Sequence, residues 1–413
     1  MKTIKPSIKN LPSIVAATLD LERWKAQQIS IVRGDLVLKH RMMADAVFPF
    51  MRSTFYRWAQ LWPMVCPELA RAPQVLAVGD LHVENFGTWR DLEGRLVWGV
   101  NDFDEAWPAA YASDLVRLLV SAYYAIGEEK LLVTRAAARE AIEAGYRDAM
   151  DKGGSPYVLA ERHTWLRQIA LSKLRDPVRF WQKIETCPDY RGKVPKLVAD
   201  LLLGCMPVKD AAMQMKARIA GLGSLGHARI LALFQWHGAH IVREAKALTR
   251  SGWIWASGEK SLDAPLLQEQ IISSAVRVRD PHLHFHDNWV IRRQIAAALS
   301  WLPCPSNATK SGCCMQWAGK PRTSIWAALR KSAPLKRICG RGGADGCTKP
   351  PKPWLRELEK TGRFGEKRGR NGTARIDCPF ERCGLHYCPA VPRLSIRSVD
   401  FRATFAYRES CRR

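Results

Sequence analysis

Between residues 74 and 106 a short apolar run twice delivers the chain into an acidic loop: QVLAVGDLHVEN, then RLVWGVNDFDEA after the turn residues of WRDLEGR. Runs this brief, rich in Val and bounded by Asp, Asn and Gly, are strands rather than helices. The segment therefore demands strand, loop, hairpin and second loop in close succession, which no all-helical bundle supplies. Its flanks are helical by period. Residues 12–70 space Ile14, Ala17 and Leu21, then Met43, Val47 and Phe50, three or four apart, and residues 114–150 continue through Leu115, Leu118, Leu119 and Ala122. The chain is expected to be α+β.

Strands return late. ARIAGLGSLGHARILALFQWHGAHIVREAKAL alternates apolar and polar residues about His237-Gly238, and SSAVRVRDPHLHFHDNWVIRR turns at Asp287 and Asn288. The expected units are a helical segment (1–73), the two acidic loops with a following helix (74–150), a mostly helical connector broken by Pro156, Pro177 and Pro195 (151–215), a β lobe (216–293) and a tail (294–413). Apolar residues at 47% and charged residues at 25% exclude a collagen-like or wholly disordered chain. The start MKTIKPSIKN leads into no long apolar stretch, so a cytoplasmic protein without a membrane partner is expected.

Asp80 precedes Asn85 by five residues, and Asp102 and Asp104 follow one hairpin later. Phosphoryl transfer requires such a set: one carboxylate to orient or deprotonate the attacking hydroxyl, and an amide oxygen with further carboxylates to hold magnesium on ATP. Taken without Asp102, Asp80 and Asn85 could equally make an Asx turn. His82 suits either bracing of the loop or catalysis, and Asp104 either a second metal contact or exposure. Gly221-Leu222-Gly223-Ser224-Leu225-Gly226, with Lys246 twenty residues on, reads as a phosphate loop and its lysine, the cofactor-binding residues being Gly221, Gly223, Ser224, Gly226 and Lys246. A dinucleotide-binding unit would need a helix after these glycines, whereas HARILALFQW is a strand. Aromatic residues from Phe48 to Trp62 sit at the helical spacing of a core more than of a groove.

The catalytic-looking loop resembles the G-D-L-H-x-x-N of aminoglycoside phosphotransferases. More closely, GDLHVENFGTWRDLEGRLVWGVNDFDEA followed by SDLVRLLVS is similar to the bacterial domain-of-unknown-function 2252 family, which is placed among protein-kinase-like folds, and the likeness runs from about Lys39 to Arg293. The resemblance implies a small antiparallel β lobe beside a larger helical lobe, ATP and Mg2+ as cofactors, and transfer to a small-molecule hydroxyl. Asp80 would be the base, Asn85 and Asp102 the metal ligands and Asp114 a structural anchor. In ordinary kinases the glycine loop comes first; here it follows the catalytic loop by about 140 residues, so a circularly permuted fold is expected. The glutamate that pairs with Lys246 is not evident from the sequence: Glu269 is a candidate, and Glu244, two residues away on the same strand, would share its face.

The net charge of +25 is uneven: residues 294–413 carry 24 basic and 8 acidic side chains, and nine of the 12 cysteines. Cys378, Cys383 and Cys388 lack the paired knuckles of a zinc site. Back-translated with permitted codons, residues 313–320 read Leu-Tyr-Ala-Met-Gly-Trp-Glu in another frame, like a helix of the resembled family, so a frameshifted, irregular tail from about Gln294 is expected. The alternative is a non-catalytic nucleotide- or nucleic-acid-binding protein whose basic tail contacts phosphates; on the frameshift reading nucleic acid is not a partner.

Overall fold

The computed structural model describes residues 8–128, 133–159, 163, 166–167, 177–210 and 212–294. Apart from Gln294, the residues on which the tail, zinc, frameshift and nucleic-acid expectations rest lie outside this set.

The chain enters through five helices, α1 (Ile14–Ala26), α2 (Arg33–Asp45), α3 (Val47–Ser53), α4 (Phe55–Val65) and α5 (Pro67–Ala70). Ser13 starts α1 by accepting the Ala16 N–H through its hydroxyl. Leu21 and Trp24 then pack with Tyr56 of α4. Phe48, Phe55, Tyr56 and Trp62 are buried, as their spacing predicts for a core. Strand β1 (Gln74–Ala77) pairs antiparallel with β4 (Trp107–Ala110), while β2 (Phe86–Arg90) pairs with β3 (Leu96–Val100), and β3 with β5 (Tyr157–Val158). The predicted hairpin turn closes where Asp91 Oδ1 accepts the Arg95 N–H at 2.8 Å and Gly94 takes φ +72°. Because β1 and β4 lie side by side, the loop leaving β1 and the loop entering β4 emerge together. The Asn101 N–H donates to the Asn85 carbonyl at 2.9 Å and ties them.

Two long helices follow, α6 (Tyr111–Glu128) and α7 (Arg135–Lys152), the latter begun by a Thr134 cap and ended by Gly153 in the left-handed region. Leu118 on α6 joins Leu81, Val83 and Phe86 in the largest core cluster.

The second body is a five-stranded antiparallel sheet of β6 (Gln214–Ala217), β7 (Arg229–Trp236), β8 (Ala239–Ala247), β9 (His284–His286) and β10 (Trp289–Arg293), in the order β6-β7-β8-β10-β9. Both predicted turns are there, with positive φ at His237, Gly238 and Asp287. Alternation divides the sheet. Ile230, Ala245 and Ile291 pack under Val198 and Leu202 of α9 (Lys196–Gly204), and Leu231, Leu233 and Val242 under Ile184 of α8 (Pro177–Glu185). Each of the Ile, Leu and Val side chains contributes about 1.5–3 kcal/mol by leaving water. Arg229, Glu244, Lys246 and Arg292 share the Leu231 face, toward the acidic loops. Helices α10 (Gly252–Ser257) and α11 (Gln268–Ser274) lead from β8 to β9, and α10 sets Trp253 edge-to-face with Phe55 and Trp255 edge-to-face with Tyr56. The mixed α+β class is as expected. Among the described residues no helix is long and apolar enough to cross a membrane.

Candidate functional site

Asp114, in the first turn of α6, builds the Asp80 loop from beneath. Its carboxylate accepts the N–H groups of Val78 and Gly79 at 2.8 and 2.9 Å. Burial pushes this carboxyl up to about 7, against the pull of the two bonds. Gly79 has φ +85°, and a Cβ there would stand 2.2 Å from the Glu105 carbonyl oxygen, so glycine is required. The next residue is thereby aimed. Asp80 Oδ1 accepts from Arg117 Nε and Nη2 at 2.8 and 2.6 Å, and the same guanidinium donates to the Met51 carbonyl at 2.8 Å. Burial raises the Asp80 pKa while Arg117 opposes it.

That grip leaves Asp80 Oδ2 facing the cleft, 3.9 Å from His82 Nε2 and 4.0 Å from where a Cβ on Gly223 would be. His82 Nδ1 accepts the Glu84 N–H at 3.2 Å. Burial, reinforced by Arg52 and Arg117, keeps the ring neutral. With Nδ1 accepting, Nε2 carries the proton, an arrangement that braces the loop. The Asn85 amide nitrogen donates to the Asp80 carbonyl, leaving its oxygen for the cleft.

The second loop delivers both aspartates. Asp102 Oδ1 accepts the Asp104 N–H at 3.3 Å, and the Asp102 side chain remains 42% exposed. Asp104 is hydrogen-bonded to Lys246 Nζ. Burial alone would raise Asp104, but Lys246 outweighs it and holds the carboxyl below its ordinary value. Lys246 also lies 3.9 Å from Asp102. Neither candidate glutamate is the partner of Lys246. Glu244 shares its face but is enclosed by Arg218, Arg229 and Arg292 at 2.5, 2.9 and 2.6 Å, and Glu269 is exposed on α11. Burial would raise Glu244, and the three guanidiniums hold it far below the carboxylate range.

The glycine loop joins β6 to β7. Gly223 and Ser224 line the cleft with Asp80, Asn85, Asp102 and Asp104, a space of about 520 Å3 counting its opening to solvent. Gly221 and Gly226 shape the loop instead: each has positive φ, and a Cβ on either would come within 2.6 Å of the Arg229 or Leu36 side chain. Ser224 Oγ accepts from Arg229 Nη2 at 2.6 Å, linking the loop to the Glu244 cluster. The sequence offered no signal for Lys25, Lys39 or Arg52, which reach the same cleft from α1, α2 and α3, nor for Arg229. Arg117 was legible only as the basic residue of SDLVRL. Among the described residues no group of three His, Cys, Asp or Glu could hold a metal by itself. An amide and two carboxylates are nonetheless the oxygen donors that magnesium takes together with substrate phosphates and water.

A family model described as an uncharacterized protein conserved in bacteria (DUF2252) matches residues 32–179. That stretch holds Lys39, Asp80, Asn85, Asp102, Asp104 and Asp114, while the glycine loop and Lys246 lie beyond it. No curated protein and no solved structure matches the chain.

Proposed function

We propose that this chain is an ATP- and Mg2+-dependent, kinase-like phosphotransferase acting on a hydroxyl of a small molecule, with a circularly permuted arrangement of its two lobes. One observation carries the reading. The glycine loop, which follows the acidic loops by about 140 residues, meets them in a single cleft, and Lys246 ion-pairs with Asp104, one of the residues lining it. Strand, glycine loop, strand, turn and lysine-bearing strand is the order of a kinase small lobe, and the β6-to-β8 order repeats it.

In this reading Asp80 Oδ2 accepts the proton of the acceptor hydroxyl as its oxygen bonds to the γ-phosphorus and the bond to the β-phosphate oxygen breaks, releasing ADP. Arg117 fixes the carboxylate so that only Oδ2 is free to turn to the acceptor, and burial favours proton uptake there. His82 braces the loop. Asn85, Asp102 and Asp104 would hold magnesium, which when bound neutralises charge on the phosphates. Lys246, the backbone of Gly223 and the Ser224 loop would position the phosphate chain. The same reading takes residues from about Gln294 as a frameshifted tail, which resequencing across codon 294 tests.

Thermal denaturation with millimolar ATP and magnesium should show stabilisation. Asp80→Asn should abolish transfer while ATP binding persists, because the base acts on the acceptor and not on the nucleotide. A folded sample that ATP leaves unmoved, or an Asp80→Asn chain with near-normal turnover, contradicts the proposal.

A further inference from the structure

Lys39 is 5% exposed, and its ammonium is spoken for by one neutral atom, the Gly223 carbonyl oxygen at 3.2 Å. The carboxylates nearest in effect are all committed elsewhere: Glu22 to His40 at 2.7 Å, Asp80 to Arg117, and Glu105 to the Ser251 hydroxyl and Gly252 N–H. A cation stripped of water without an ionic partner is costly to keep, and charge of this kind is retained where a ligand completes it. Its surroundings specify the ligand. Lys25, 3.8 Å from Glu105, and Arg52, ion-paired with Glu84, line the same space, and the Arg52 Nε is buried without a hydrogen-bond partner. Gly223, whose carbonyl takes the Lys39 ammonium, lines that space as well.

We infer that Lys39 is a phosphate-gripping residue, its ammonium binding a phosphate oxygen of a ligand seated against Gly223. The inference rests on the phosphotransferase reading for which phosphate is meant, that of the nucleotide or one borne by the acceptor, but not for the anion site itself. α2 thereby adds to the cleft a lysine beside Lys25, distinct from Lys246 and contributed by the N-terminal helices. Burial holds the Lys39 pKa down at about 8, with Lys25 assisting. A bound phosphate would restore the full charge.

The test compares the full-length wild type with Lys39→Met and Lys39→Arg by calorimetry and thermal denaturation, using pyrophosphate alone, ATP with magnesium, adenosine, and inorganic phosphate added over saturating ATP. Removing one charge-assisted contact should weaken binding by about tenfold to a hundredfold, and Lys39→Arg should keep most of it. Loss for pyrophosphate and ATP with adenosine unchanged assigns the nucleotide's phosphates; loss confined to inorganic phosphate over ATP assigns the acceptor's. The unliganded Lys39→Met chain should melt no lower than wild type, which a merely structural lysine would not allow. Should that variant fail to fold, footprinting the wild type decides: pyrophosphate should slow acetylation of Lys39 several-fold, and an unchanged rate overturns the inference. Equal affinity of Lys39→Met and wild type for every probe overturns it as well. Pyrophosphate binding through Lys39 without any ATP response would sink the phosphotransferase reading alone. Asp80-dependent transfer indifferent to Lys39 would sink this inference alone.

Discussion

Asn at position 114 separates two forces that act on one buried carboxyl. Asp114 accepts two backbone N–H groups, which favour its ionised form, and is wholly buried, which disfavours it; burial prevails and sets its pKa at about 7. The folded state therefore binds a proton that the unfolded chain, with an ordinary value of 3.8, has already released. Stability from this group is fully present below the unfolded value and is lost as pH rises to about 7. Between pH 5 and pH 8 the loss is about 3 kcal/mol, from 1.36 kcal/mol for each pKa unit. Asp114→Asn has no such titration. It also turns an amide N–H2 toward one of two backbone donors, leaving a buried N–H without an acceptor at a cost of about 1–3 kcal/mol at any pH. Urea denaturation of both chains at pH 5 and pH 8 should find the variant weaker throughout, with the gap about 3 kcal/mol wider at pH 5. A gap equal at both values, or wider at pH 8, would show that the two hydrogen bonds outweigh burial and refute the reasoning.

His227 is buried, its Nδ1 3.0 Å from the Ala247 carbonyl, and burial together with Lys25, Lys246 and Lys39 holds its pKa well below 6.5. The folded state keeps the ring neutral, so stability from it is lost as pH falls below 6.5; between pH 7 and 5.5 the urea midpoint should shift in favour of His227→Gln relative to wild type, and equal shifts in the two chains would contradict this. Gly79→Ala sets a Cβ 2.2 Å from a backbone oxygen at φ +85°, and should cost more than the roughly 1–3 kcal/mol of left-handed strain alone. A change within about 0.5 kcal/mol by denaturant titration would mean the loop yields easily.

Much of this architecture is written in local pattern. The five-residue β2–β3 turn announced itself through Asp91 and Gly94, and the two-residue β7–β8 and β9–β10 turns through His237-Gly238 and Asp287-Asn288, because tight reversals need residues that tolerate positive φ. The acidic loops were legible for the same reason: short strands ending in Asp and Asn leave few other local structures. What sequence could not display is the choice of partner between charges far apart in the chain. Glu244 and Lys246 sit two residues apart on one face, the spacing of a pair, yet three arginines enclose the first and Asp104 takes the second. Lys39 occupies an ordinary-looking place on a helix rich in charge, and only the return of the glycine loop over it makes it interior.

That return has a temporal consequence. Lys246 meets Asp104 across 142 residues, Ser251 meets Glu105 across 146, and Lys39 meets Gly223 across 184. At a translation rate of about 5–20 residues per second, Asp104 is synthesised roughly 7–28 seconds before the Lys246 that neutralises it exists. During that interval the nascent chain carries a cluster of carboxylates with no lid over it, and α4 shows the aromatic face that α10 will later cover. Such an intermediate invites holdase chaperones, and slowing elongation between codons 105 and 246 should lengthen its exposure to them.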